Sequence, residues 1–168
     1  MNYIYIGNIV NTHGIKGEVR MISDFKYKDK VFKKGFTVYV GRQREALVLN
    51  SYRVHKNYDM VTFEGIDNIN DVIAYKGDKV YINRDDIEID GYFDEDYLGL
   101  SVYENDRNIG TVAYLLKSKK YDLLVVDQNG KKHMIPNIPE FIKAIDLEQK
   151  RIDIYEMKGL IDEDWYID

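Results

Sequence analysis

Short runs of alternating apolar and polar residues recur along nearly the whole chain, broken by turn-forming residues about every ten positions, and no other feature limits the fold so strongly. The runs cover 3–10, 17–22, 36–40, 46–54, 60–63 and 79–82 in the first half, then 101–104, 108–116, 121–127, 132–135 and 151–155 in the second. Successive side chains of a strand face opposite sides, so each run can bury one face and wet the other. The pattern predicts an all-β protein built as a small antiparallel barrel or sandwich in each half. Asn129-Gly130 is the strongest hairpin signal, because a type I′ turn needs positive φ at both central residues. Helix is expected in two short places only. Residues 70–75 read as one helix with Asn70 as N-cap and Gly77 just past its end, and 139–142 read as a helical turn with Pro139 at the first position.

Residues 7–21, GNIVNTHGIKGEVRM, join the first two strands through a shaped loop. Gly14 and Gly17 lie where the chain must reverse, and Asn11 and Thr12 can bond their own backbone through the turn. His13 stands in that loop with no cysteine or second histidine near it in sequence, which leaves a metal or nucleophile role without support.

Charge is unevenly divided. The net charge of −5 argues against a protein that binds nucleic acid over its whole surface. Residues 1–85, however, hold 14 Lys+Arg against 10 Asp+Glu, whereas residues 86–168 hold 10 against 19. The first half is suited to phosphate and the second to a basic protein. Asp85, Asp86, Glu88 and Asp90 mark an acidic stretch. We divide the chain there into a domain at 1–85, a linker at 86–96 and a domain at 97–168. The chain has no cysteine, no basic, apolar leader and no apolar run long enough to span a bilayer, so a cytoplasmic protein without a membrane partner is expected.

Catalytic machinery is not visible. His13, His55 and His133 are scattered, no metal-ligand spacing occurs, and neither common phosphate-cradling glycine motif is present. No enzyme activity, metal or cofactor is expected, and binding remains. Lys26, Lys28, Lys30, Lys33 and Lys34, interleaved with Tyr27 and Phe32, read either as a base-stacking basic surface or as a solvated edge with its aromatics turned inward. Lys117, Lys119 and Lys120 form a second cluster before Tyr121. Tyr92-Phe93, among acids at the domain junction, suits a partner that is basic and apolar; adjacent strand residues face opposite ways, so one ring is equally available to the core.

The run Gly7-x-Ile9-Val10-x-x-His13-Gly14-x-x-Gly17-Glu18-Val19 resembles the N-terminal signature of the RimM family. Gly91-Tyr92-Phe93 with Asp96, Leu98, Gly99 and Val102 continues the likeness, followed by Gly110-x-Val112, the 121–126 segment, Ile135-Pro136, Ile142-Lys143, Ile145-Asp146 and Gly159-Leu160-Ile161-Asp162. The resemblance implies a six-stranded N-terminal barrel like the second domain of translation elongation factors, then a PRC-type barrel. It also implies a non-catalytic, monomeric factor that binds the head of the immature 30S subunit through small-subunit ribosomal protein number nineteen and nearby 16S rRNA, assisting head assembly and rRNA processing. Tyr92 and Phe93 correspond to the aromatic pair that meets the ribosomal protein, with Phe93 where tyrosine is usual. His13, Lys16, Arg20 and the two lysine clusters are the expected rRNA contacts, and Gly7, Gly14, Gly17 and Gly99 the structural glycines. The alternative is a general RNA-binding barrel with no protein partner.

Overall fold

The computed structural model describes residues 1–156 and the backbone of a last short strand, Tyr166–Ile167. The 159–162 part of the resemblance and the acidic residues 162–164 and 168 lie outside the described residues. The chain divides into two compact units between Ile89 and Asp90, within the acidic stretch.

In the first unit, β1 (Tyr3–His13), β2 (Glu18–Ile22), β3 (Thr37–Val40), β4 (Glu45–His55), β5 (Tyr58–Phe63) and β6 (Lys79–Asn83) close a barrel in the order β1-β2-β5-β4-β3-β6. Their alternation sends Ile4, Ile6, Val19, Met21, Val38, Val40, Leu49, Val61, Phe63, Val80 and Ile82 inward, none more than 3% exposed. Burying each such side chain is worth about 2 kcal/mol before chain entropy is counted. Register shifts between Tyr5 and Gly7 and between Ile9 and Asn11 bend β1, which pairs with β6 and then with β2. Gly7 is required at that bend: a Cβ there would lie 2.6 Å from the Ile22 carbonyl oxygen.

A four-residue helix, α1 (Lys28–Val31), falls inside the lysine run, where alternation gave no sign of it. It buries Val31, and Phe32 beyond it stacks on Tyr52 with ring centroids 5.0 Å apart. The Tyr52 hydroxyl donates to Asp59 Oδ1 at 2.6 Å and Lys28 Nζ pairs with Asp59 Oδ2 at 2.9 Å, so both oxygens of this buried carboxylate are engaged. Burial, then the hydrogen bond to Asp59 and its charge, push the Tyr52 pKa up to about 12. Burial and the hydrogen bond to Glu45 do the same for Tyr75. A tyrosine freed by unfolding loses its proton near 10.0, whereas the folded groups keep theirs to about 12. Their contribution to stability is therefore complete below pH 10 and is lost as pH rises through that window. Circular dichroism is expected to show the first unit weakening between about pH 10 and 12, less steeply in Tyr52→Phe, which removes one of these groups.

The second unit is a seven-stranded sheet. Its strands are β7 (Ser101–Glu104), β8 (Arg107–Leu116), β9 (Leu123–Gln128), β10 (Lys131–Pro136), β11 (Ile142–Asp146), β12 (Arg151–Ile154) and β13 (Tyr166–Ile167), ordered β11-β12-β7-β8-β9-β10-β13. Side chains from β12, near one end of that order, and from β10, near the other, enter one cluster with Val102, Ile109, Val112, Leu124 and Val126. The sheet thus curls around a single core. β12 joins β7 in parallel, and the other pairs are antiparallel.

Asn129 and Gly130 both take positive φ, as their dipeptide required. Lys56-Asn57 and Asn105-Asp106 make the same kind of turn without glycine, and neither was legible in advance. The helix expected at 70–75 is two successive 3-10 turns, Ile69–Asp71 and Ile73–Tyr75, capped by Asn68 rather than Asn70. The Asn68 side chain accepts from the Asn70 N–H at 2.8 Å, which starts the turn two residues early. At Pro139 the expected single turn forms, the Ile138 carbonyl accepting from the N–H groups of Phe141 and Ile142, and the chain then passes into β11. The 121–127 strand begins at Leu123, and a second short helix, α2 (Asp94–Tyr97), occupies the end of the acidic stretch.

Candidate functional site

The aromatic pair divides between surface and core. Tyr92 is 36% exposed, whereas Phe93 is 4% exposed and belongs to the interior. α2 enforces this split. Its Asp96 reaches back to accept from the Phe93 N–H at 2.9 Å, fixing the chain just before the helix. Tyr97, buried at the other end of α2, meets the Tyr92 ring edge-on at 5.9 Å and orients it. Burial raises the Tyr97 pKa, so that hydroxyl stays neutral. Around Tyr92 the same element carries Asp94 and the exposed Glu95, and Leu98 beyond it is half exposed. An aromatic ring among carboxylates can anchor a partner that is both apolar and basic.

Lys117 is not free for a phosphate. Its Nζ lies 2.7 Å from Asp94 Oδ2 and 2.9 Å from Asp122 Oδ2. Burial opposes its charge, yet the two carboxylates outweigh that and raise its pKa. Lys119 and Lys120 are exposed. In the first lysine run, Lys28 is bound to Asp59 and Lys30 donates to the Glu88 carbonyl, leaving Lys26, Lys33 and Lys34 at the surface. Of the interleaved aromatics, Phe32 is buried onto Tyr52, while half-buried Tyr27 packs against Phe25 at 5.7 Å, so the run keeps little free ring surface for base stacking.

A more concentrated cationic surface forms where β1, β2, β4 and β5 lie side by side. Cross-strand register places His13 opposite Glu18, Arg20 and Arg53 on either side of Met60, and His55 opposite Tyr58. One Arg20 guanidinium nitrogen lies 3.0 Å from His13 Nδ1, and its carbon sits over the Tyr58 ring at 5.0 Å. The His13 and His55 rings are 5.6 Å apart. Arg53 grips Glu18 through two hydrogen bonds of 2.9 and 2.7 Å, which lowers the Glu18 pKa. Desolvation, then Arg53 and Lys56, holds the His55 pKa down. Lys16 is exposed in the adjoining loop. Arg20, with exposed Lys16 and Lys56, thus gathers beside the Arg53–Glu18 ion pair in a patch that fits a phosphate backbone. Sequence reasoning found His13, Lys16 and Arg20 but missed Arg53, His55, Lys56 and Tyr58, which only the β4–β5 register brings to them.

The expected glycines divide by cause. Gly14, Gly17 and Gly99 take positive φ, whereas Gly7 is needed for a close backbone approach. Gly110 was not among them, and it is the most tightly constrained: at φ +126, a Cβ would lie 2.3 Å from the Asp127 carbonyl oxygen. Among the described residues, no group of three or more histidines and carboxylates is placed to hold a metal ion, and no helix is long and apolar enough to cross a membrane.

Comparison with known proteins agrees across the full length. Residues 4–87 match the model of the RimM N-terminal domain and residues 94–160 that of the RimM PRC barrel domain. The ribosome maturation factor RimM of Staphylococcus haemolyticus is 44% identical over 166 residues, covering 95% of this chain and 99% of that protein. That of Streptococcus mutans is 37% identical over 171 residues, covering 97% and 99%. That of Shouchella clausii is 33% identical over 171 residues, covering 96% and 99%. With both domain models matched in order, and relatives this similar aligned nearly end to end, the chain belongs to the RimM family of ribosome maturation factors.

Proposed function

We propose that this protein binds the head of the immature 30S subunit through small-subunit ribosomal protein number nineteen and adjacent 16S rRNA, assisting head assembly and rRNA processing without catalysis. The observation that carries the reading is Tyr92: an exposed aromatic, braced by Tyr97 and flanked by Asp94 and Glu95, on the acidic unit of the chain. That acidic unit draws in a basic ribosomal protein, and Tyr92 supplies the buried contact area once it docks. The patch of Arg20, Lys16 and Lys56, with exposed Lys26, Lys33, Lys34, Lys119 and Lys120, meets rRNA backbone. A chain that binds the correctly arranged protein and rRNA better than competing arrangements shifts the population toward them and leaves when the mature surface no longer fits. The protein acts as a monomer in the cytoplasm, with no cofactor, metal or membrane partner.

Titration calorimetry with purified protein nineteen tests the anchor. Tyr92→Ala is expected to weaken binding by about 2 kcal/mol, roughly thirtyfold. Unchanged affinity in that variant, or no binding by the unaltered chain, overturns the protein contact and favours the barrel that binds RNA alone.

A further inference from the structure

We propose that the outer face of β1, β6 and β3 is a second nucleic-acid surface, a platform on which two or three unpaired RNA bases stack. It uses residues other than those of both surfaces above and does not rest on the ribosomal-protein reading.

The strand period makes the platform. β1 turns Tyr3 and Tyr5 outward while Ile4 and Ile6 fill the core; β6 does the same with Tyr81 between Val80 and Ile82, and β3 with Tyr39 between Val38 and Val40. Register then aligns them, with Tyr5 opposite Tyr81 and Tyr81 opposite Tyr39 across three strands. Ring centroids are 6.0 Å apart for Tyr5 and Tyr81, 6.2 Å for Tyr3 and Tyr81, and 5.3 Å for Tyr3 and Tyr39. Tyr5 is 42% exposed. The outside of a small barrel ordinarily carries polar residues, so four adjoining tyrosines mark a binding surface.

Charge selects the occupant. The Arg44 guanidinium carbon stands 3.7 Å from the Tyr81 ring centroid and 5.3 Å from that of Tyr3, and Lys79 Nζ stands 6.0 Å from Tyr5. Arg44 Nη1 donates to the Gly41 carbonyl at 2.7 Å, which sets the guanidinium in place, while its Nε is buried without a hydrogen-bond partner. The carboxylate whose charge reaches Tyr5 is Asp24. An apolar protein surface laid over these rings would desolvate both cations and leave them unpaired. A single-stranded RNA instead offers flat bases to Tyr5 and to the guanidinium plane and phosphates to Arg44 and Lys79, the combination by which unpaired strands are held with little sequence preference.

Fluorescence anisotropy with a labelled RNA of about eight uridines at low salt tests this on the full chain. Binding is expected, weakened about tenfold in Tyr5→Ala and nearly unchanged in Tyr5→Phe, which keeps the ring. Lys79→Ala is expected to lower the slope of log affinity against log salt by about 0.7. Thermal melting of the same samples separates lost contact from lost fold, since Tyr5 is largely outside the core. No binding by the unaltered chain, or equal binding by Tyr5→Ala, overturns the proposal. Tyr92→Ala should bind this RNA normally, so failure of the ribosomal-protein contact and failure of the platform give different results.

Discussion

Gly110→Ala is expected to destabilise the second unit by about 4 kcal/mol, the largest effect of any single substitution considered. Two separate costs combine there. β8 carries a bulge at this point, since Val102 faces Gly110 while the next residue, Tyr103, faces Asn108, and the extra residue forces Gly110 to φ +126. That conformation is strained for any residue with a Cβ. The new methyl would also lie 2.3 Å from the Asp127 carbonyl oxygen and 2.8 Å from its carbon, both backbone atoms of β9 that no rotamer change can move. Relief requires β8 and β9 to separate where Val112 and Val126, both at most 2% exposed, meet in the core. Urea denaturation should show early loss of the second unit; a variant as stable as the parent would mean that the bulge is not formed as described.

Phe93→Ala is expected to cost about 3–4 kcal/mol, whereas its neighbour Tyr92→Ala should change stability by no more than about 0.5 kcal/mol. The two rings adjoin in sequence and differ in surroundings: 4% exposed against 36%. Removing the buried ring leaves a cavity that the backbone, pinned by the Asp96 bond to the Phe93 N–H, cannot readily close. Removing the exposed ring gives up an edge contact with Tyr97 and little else. A double alanine variant therefore confuses binding with folding, and Tyr92 alone reports on the partner. Equal melting temperatures for Phe93→Ala and the parent would place Phe93 at the surface and restore the pair as a joint anchor.

These residues also show what sequence could convey. Alternation located the strands other than β11 and β13, because burial of one face imposes a period of two, and it placed the core of both units. It was silent on α1 and α2, four residues each, which lack the length for a 3.6-residue period to register. It was silent too on the parallel pairing of β12 with β7, since period two is the same whichever way a neighbour runs. Asn129-Gly130 was legible because glycine names the turn, whereas Lys56-Asn57 gave no such signal although its φ values are alike. At the site, proximity in sequence found His13, Lys16 and Arg20 but could not bring Arg53 and Lys56 to them, nor separate Tyr92 from Phe93. Lys117 stands in a lysine cluster in sequence, but Asp94 and Asp122 hold it in the fold. Pairing across strands and burial are three-dimensional quantities that local sequence does not carry.

Co-sedimentation with purified immature and mature 30S particles decides whether Tyr92 anchors the chain to an incompletely assembled small subunit. The chain is expected to pellet with the immature particle in preference to the mature one, and Tyr92→Ala, though fully folded, to stay largely in the supernatant. Equal pelleting with both particles, or undiminished pelleting of Tyr92→Ala with the immature one, would contradict it.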